Sequence, residues 1–136
     1  MSLKYKIIKS IKTVYVIGQG VISFTELMDH INKLAQDQDY NAPMKKLVDY
    51  RTIKSLDLSM SESEAFAQEK AKHNDIFSGE RCAIVTPLDS NFGMARVHDA
   101  LIGLKDPEIN TMVFRDFNKA QEWLGINFDD DDLIIS

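Results

Sequence analysis

Few residues in this sequence offer a starting point for chemistry. The chain holds three histidines and one cysteine, namely His30, His73, His98 and Cys82. No two histidines stand at the spacing that puts two imidazoles on one metal ion, and a single thiol makes neither an internal disulfide nor a zinc site. Cys82 opens the apolar run Cys82-Ala83-Ile84-Val85-Thr86. Its place inside an apolar strand makes it read as a small core residue rather than a nucleophile. His98 falls on the apolar stripe of its segment and reads as a packed histidine with one hydrogen bond, the alternative being an acid–base or ligand-facing role near neutral pH. His30 and His73 read as solvated helix residues. Gly18-Gln19-Gly20 lacks the third glycine of a dinucleotide fingerprint, because Ser23 holds that position. Asp129–Asp132 lacks the spaced ligands and turn glycine of a calcium loop. No catalytic residue, metal or cofactor is expected.

A second kind of chemistry is anion recognition. Arg51 and Arg115 each follow an apolar run, and each is near the predicted start of a helix, where backbone N–H groups point outward. Together with Asp57, Ser59, Ser61, Asp89, Ser90 and Asp116 they form the candidate binding set, able to hold a carboxylate or a phosphate. The competing reading is that the arginines pair with nearby acids, Asp57, Asp89 or Asp116, and that the serines only cap helices.

The elements that must position these residues follow from pattern. Tyr5–Ile11 and Thr13–Ile17 are short and rich in Ile, Val and Tyr, which predicts an antiparallel hairpin turning at Ser10–Lys12 and ending at Gly18 and Gly20. Ser23-Phe24-Thr25-Glu26 is a capping box, and the helix it opens carries Phe24, Leu27, Met28, Ile31, Leu34 and Ala35 on one stripe. Lys46–Tyr50 is the third strand, followed by a loop. Ser61-Glu62-Ser63-Glu64 marks a second capping box, with Ser61 as the cap of a helix reaching about His73. Its apolar face, Phe66, Ala67 and Ala71, is thin, which predicts the most exposed helix. Cys82–Thr86 is a central strand buried on both faces and closed by Pro87. Asp89 or Ser90 caps a helix with Met94, Val97, His98 and Leu101. Thr111–Phe114 is the last strand, and Asp116 caps a last helix anchored by Phe117 and Trp123 and ended by Gly125. The alternation predicts one α/β domain: a five-stranded mixed sheet, the first strand antiparallel and the rest parallel, with about four helices.

With these segments in order, the chain resembles a known family. Val14–Ser23, Leu47–Arg51, Ala83–Pro87, Phe92–Arg96 and Val113–Asp116, with Ala120 and Trp123-Leu124-Gly125, are similar to the small bacterial SpoIIAA-like proteins, grouped with the STAS (anti-sigma-factor antagonist) and SEC14/CRAL-TRIO folds. The resemblance covers residues 4–125. It implies a SpoIIAA-like domain over residues 1–128, followed by an acidic tail at 129–136. In anti-sigma antagonists a strand ending in Asp leads to Asp-Ser-Ser-Gly, whose second serine a partner kinase phosphorylates. Asp49 to Met60 lies on that pattern without a gap: Asp57 falls on the motif Asp and Ser59 on the phosphorylated serine, with Leu58 and Met60 in place of the first serine and the glycine.

Composition narrows the function classes. Sixteen basic residues against twenty-one acidic ones give a net charge of −5, and four of the negative charges lie in Asp129–Asp132. No basic stripe of the kind a phosphate backbone demands is visible, so nucleic acid is not an expected partner. No apolar run is long enough for a transmembrane segment, and no secretory leader pattern opens the sequence. With a single cysteine, a cytoplasmic setting is expected. Leu133-Ile134-Ile135 is unusual for an exposed end and predicts packing on the domain itself or on a second chain, as in a homodimer. The resemblance implies a non-catalytic module acting through contacts with a protein partner, its surface being Lys54–Ser61 and the helix that follows. The alternative is a binder of a small apolar or anionic ligand of the SEC14/CRAL-TRIO kind, which requires a cavity of several hundred cubic ångströms.

Overall fold

The computed structural model describes residues 2–135. Strand β1 (Leu3–Ile8) turns through a short 3-10 segment, Lys9–Ile11, into β2 (Thr13–Ser23). Helix α1 (Phe24–Gln36) leads to β3 (Lys45–Asp57), and α2 (Met60–Lys72) with the one-turn α3 (Asn74–Phe77) leads to β4 (Arg81–Val85). Then come α4 (Asp89–Lys105), β5 (Asn110–Phe114) and α5 (Phe117–Leu124). The sheet order is β1-β2-β3-β4-β5. β1 runs antiparallel to β2, and every other pair is parallel. The five-stranded mixed sheet expected from the sequence is the one observed.

Alternation along the strands builds two apolar layers. Val14, Val16, Val48, Cys82 and Ile84 face α1, α2 and α4, whose Leu27, Ile31, Phe66 and Ile102 complete the larger core. Tyr15, Leu47, Ala83 and Val85 point the other way, toward Ala120 and Leu124 of α5. The three crossover helices thus share one face, and consecutive strands are neighbours throughout. This monotonic order has no point at which the strand sequence reverses, the feature that opens a crevice in doubly wound sheets.

Several boundaries differ from the sequence reading. β2 does not stop at Gly18 or Gly20 but runs to Ser23, paired with β3 as far as Asp57. The glycines serve an irregular ladder, with register shifts at Ile17/Gln19 and Gly20/Val21. Gly20 has φ +67°, and a Cβ on Gly18 would lie 2.7 Å from the Tyr50 ring. Glycine here marks a bulge and a close approach inside a strand, not its end.

The cap of α2 is Ser59, not Ser61. Its hydroxyl accepts the Glu62 N–H while the Glu62 carboxylate accepts the Ser59 N–H. The sequence contains overlapping Ser-x-x-Glu phases; the longer β3 carries Leu58 into the core, 5% exposed, and so starts the helix earlier. α4 has no side-chain cap at all, since its N-cap is Leu88 and both Asp89 and Ser90 lie in the first turn. α2 is not the most exposed helix. It packs between α1 and α4 and buries Ser63, Phe66, Ala67 and Lys70, so its apolar face is thin because a lysine points inward. His30 is buried, not solvated.

α5 is held mainly by Ala120 and Leu124, which are buried, while Phe117 and Trp123 are half-buried. Each aromatic lies under a guanidinium, Arg51 over Phe117 and Arg81 over Trp123, both at 3.9 Å. The chain then returns along the same face. Phe128 packs on Tyr15 at 5.4 Å, and Leu133 and Ile135 reach the same cluster. Lys6 Nζ donates to the Asp131 and Ile134 carbonyls at 3.0 and 3.3 Å. Leu133 and Ile135 thus pack on their own domain, while Asp129, Asp130 and Asp131 stay exposed.

Candidate functional site

The carboxyl edge of the parallel strands gathers most of the residues singled out from sequence, but as separate groups. At the end of β3, Asp57 is exposed, Leu58 is buried, and Ser59 begins α2 in the open. Ser59 Oγ lies 3.1 Å from both the Glu62 N–H nitrogen it caps and Ser61 Oγ. The start of α4 is tied to this corner, because the Leu56 N–H donates to Asn91 Oδ1 at 3.3 Å. Asn91 is buried, so the tie is a rigid one.

The second group is at the mouth of α4. Arg115 pairs with the exposed Asp89, donates to the Pro87 carbonyl at 3.2 Å and covers the Phe92 ring at 4.2 Å. Ser90 is exposed beside it. Arg51 belongs to neither group. It lies within β3, where Asp49 accepts from Nε and Nη2 at 2.9 Å each. Asp49 also accepts the Tyr15 hydroxyl at 2.6 Å. Burial raises the Asp49 carboxyl, but hydrogen bonds from Arg51 and Tyr15 outweigh it and hold the group below its ordinary value. Both arginines therefore have a carboxylate of their own, and no single anion cradle joins them.

The sequence reading placed Met60 within the candidate surface Lys54–Ser61 but did not single out the other large exposed side chains of this edge, Leu88 and Val21. Met60, the first residue of α2, is 64% exposed, Leu88 ahead of α4 is 53%, and Val21 near the end of β2 is 42%. Single exposed apolar residues are ordinary. Here the elements carrying them are fixed by a capping box, a buried asparagine and an extended strand pair.

Reasoning from sequence also missed a polar cluster inside the larger core. Glu80 has no exposed surface, and its carboxylate accepts from Lys70 Nζ at 2.6 Å and from the Tyr40 hydroxyl at 3.0 Å. Burial pushes Glu80 up, yet Lys70 and Lys46 more than compensate and keep it a carboxylate; Glu80 in turn offsets the burial of Lys70 and holds that amine charged. Lys46 Nζ is 2.9 Å from His30 Nε2. Burial pulls His98 down to about 4 and pushes Cys82 up to about 11. A signal existed for Lys46, which shares the inward phase of Val48 and Tyr50 along β3. None existed for Glu80, which precedes its strand.

No family model and no curated protein sequence matches this chain. Solved structures do. The anti-sigma-factor antagonist SpoIIAA in its unphosphorylated form superposes with a TM-score of 0.57 at 11% identity, covering 93% of this chain and 99% of that one. A Shewanella loihica protein of the DUF3478 family, described as uncharacterised and SpoIIAA-like in fold, superposes with a TM-score of 0.56 at 17% identity, covering 90% and 94%. The chain therefore has the SpoIIAA-like fold over nearly its whole length.

Proposed function

We propose that this domain is a non-catalytic interaction module of the STAS type, and that its contact surface is the carboxyl edge around Ser59, Met60 and Leu88. The observation that carries the reading is the presentation of Met60 and Leu88, 64% and 53% exposed, on two helix starts that Asn91 ties together through the end of β3. Methionine and leucine on a rigid, polar-rimmed corner suit a protein surface that supplies the missing apolar contacts. The opposing reading, a binder of a small apolar or anionic ligand of the SEC14/CRAL-TRIO kind, needs a cavity of several hundred cubic ångströms. The interior holds a space of about 40 Å³.

Ser59 is the regulatory position of this edge. Its hydroxyl is exposed and already at a helix N-terminus, where the helix dipole favours a phosphate. Glu62 and Glu64 oppose that charge. Arg115 is held by Asp89, so capturing a phosphate would require it to give up that partner.

The test is a comparison of proteins recovered from the native cell with the wild type, with Met60→Asp/Leu88→Asp, and with Ser59→Asp, alongside the intact mass of the purified wild type. Both apolar positions are exposed, and an acid is favourable in a first helical turn, so the double variant keeps its fold by circular dichroism. Loss of a stoichiometric partner in the double variant alone supports the contact edge. Identical recoveries for all three proteins contradict it, and an unmodified mass removes phosphorylation at Ser59.

A further inference from the structure

The sheet ends in two edge strands, β1 and β5, and they are finished differently. β1 carries Lys4 and Lys6, and charge along an edge discourages another strand from pairing with it. β5 reads Asn-Thr-Met-Val-Phe, with no charge, no proline and no register shift against β4. Two hydrogen bonds fix the direction of its backbone groups. The Asn110 N–H donates to the Glu80 carbonyl, and the Phe114 carbonyl accepts the Thr86 N–H. Alternate residues of a strand turn their backbone groups the same way. Asn110, Met112 and Phe114 therefore serve β4, while Thr111 and Val113 present N–H and C=O groups outward.

Helix α4 overlooks that edge. Its Ala95, His98 and Ile102 line the same interior space as Ile84 of β4 and Thr111 of β5, so the helix lies over this strand pair. Phe92, at its start, lies 4.2 Å from the guanidinium of Arg115 at the end of β5, so helix and strand run antiparallel. Lys105, on the opposite flank, reaches back to Glu64 of α2. Phe92, Arg96, Asp99 and Gly103 share the flank toward the edge at helical spacing. Arg96 and Gly103 are exposed, and a Cβ on Gly103 would meet nothing within 4 Å. Neither Arg96 nor Asp99 belongs to an ion pair among the described residues.

We propose that two copies of this chain join through β5 in an antiparallel, two-fold pairing that continues the sheet from one copy into the other. Backbone phase sets the register. Thr111 of each copy exchanges both backbone hydrogen bonds with Val113 of the other. Met112 then falls on the axis opposite its own counterpart, a non-hydrogen-bonded pair with Cα atoms about 4.5 Å apart. Its side chain, 47% exposed in the single chain, packs there on its image. The same pairing places the helices. Each α4 lies over its own β4 and β5, so the two helix axes are two strand spacings apart, about 10 Å, which is the distance of packed helices. They run antiparallel, with His98 level with the middle of β5. Arg96 and Asp99 flank that level, so each Arg96 faces the Asp99 of the other copy. A strand from an unrelated protein would fill the backbone hydrogen bonds but bring no second α4, and this commits the edge to a second copy. The pairing uses neither Met60 nor Leu88 and stands whether or not that corner binds a partner.

Sedimentation equilibrium of the intact domain over a concentration series, with oxidative crosslinking of Met112→Cys, tests this. The wild type is expected to dimerise. Met112→Lys sets like charges opposite each other on the axis and should weaken association by about tenfold or more, equivalent to about 1.4 kcal/mol, in a protein still folded by circular dichroism. Arg96→Asp should also weaken it, and adding Asp99→Arg should restore it. Met112→Cys should form an intermolecular disulfide, since the expected Cα separation lies within disulfide range. Thr25→Cys, exposed on α1, should not, and the native Cys82 is buried. The disulfide decides the matter even if Met112→Lys fails to fold. A monomer at every concentration, a dimer undiminished in folded Met112→Lys, or crosslinking no greater at Met112→Cys than at Thr25→Cys would overturn the proposal, showing an edge left bare or association through another surface.

Discussion

Glu80 is fully enclosed yet stays ionised because Lys70 and Tyr40 occupy its two oxygens at 2.6 and 3.0 Å. Breaking one side of such a pair strands the other. Glu80→Gln should destabilise the domain by about 3–5 kcal/mol, whereas Glu80→Gln with Lys70→Met should recover much of the loss. Urea midpoints of the single and double variants measure this. His98 gives a pH response of known sign. Unfolded, it protonates near pH 6.5; folded, only near about 4. Between those values the unfolded chain binds more protons, so stability is constant above the window and falls as pH drops through it, by about 3 kcal/mol in total. His30, also held neutral by burial, adds to the same limb. His98→Gln should flatten the fall, and an unchanged profile would mean that His98 titrates normally. Cys82, pushed up to about 11 and buried, should label with a thiol reagent only after denaturant is added. That thiol was legible in its apolar run. The ion pair was not, because Lys70 sits at a helical position that looks solvated until its distant carboxylate is known.

The start of α2 shows where element boundaries escape a sequence reading. Ser59-x-x-Glu62 and Ser61-x-x-Glu64 are equally good capping boxes as patterns, and what separates them is how far β3 runs, which depends on its pairing with the bulged β2. Ser59→Ala should therefore cost about 1 kcal/mol, and Ser61→Ala only a few tenths; a thermal scan of the two variants would show the reverse order if Ser61 were the cap. Ser59→Asp keeps a capping side chain and should be close to wild type in stability, which makes it a clean probe of function. At α5 the bulky aromatics suggested the anchors, but the smaller residues face the sheet. Leu124, 2% exposed, should cost about 2–5 kcal/mol on truncation to alanine. Phe117→Ala should cost less, since its ring is half-buried between Arg51 and Phe128. Size and pattern identified the helix. Which of its residues meet the sheet depends on packing against Tyr15 and Leu47.

Five strands in sequence order, with α1, α2 and α4 on one face and α5 with the returning C-terminal segment on the other, leave the carboxyl edge as an open surface rather than a crevice. That arrangement was legible because each strand is punctuated by caps and turns and because β-α alternation permits few topologies. Met60 fell within the surface expected from the sequence, whereas the part of Leu88 in the exposed apolar corner was not legible, since its exposure follows from where α4 begins. No helix among the described residues is long and apolar enough to cross a membrane. The central claim, that the corner is a protein contact surface, is tested most directly by site-specific photo-crosslinking in the native cell. A crosslinking residue is placed at Met60 or Leu88, and for comparison at Asn41, an exposed position before β3, at the opposite end of the parallel strands. The account predicts one shared protein adduct at Met60 and Leu88 that is missing at Asn41. Adducts of the same pattern at all three positions, or at Asn41 alone, would contradict it.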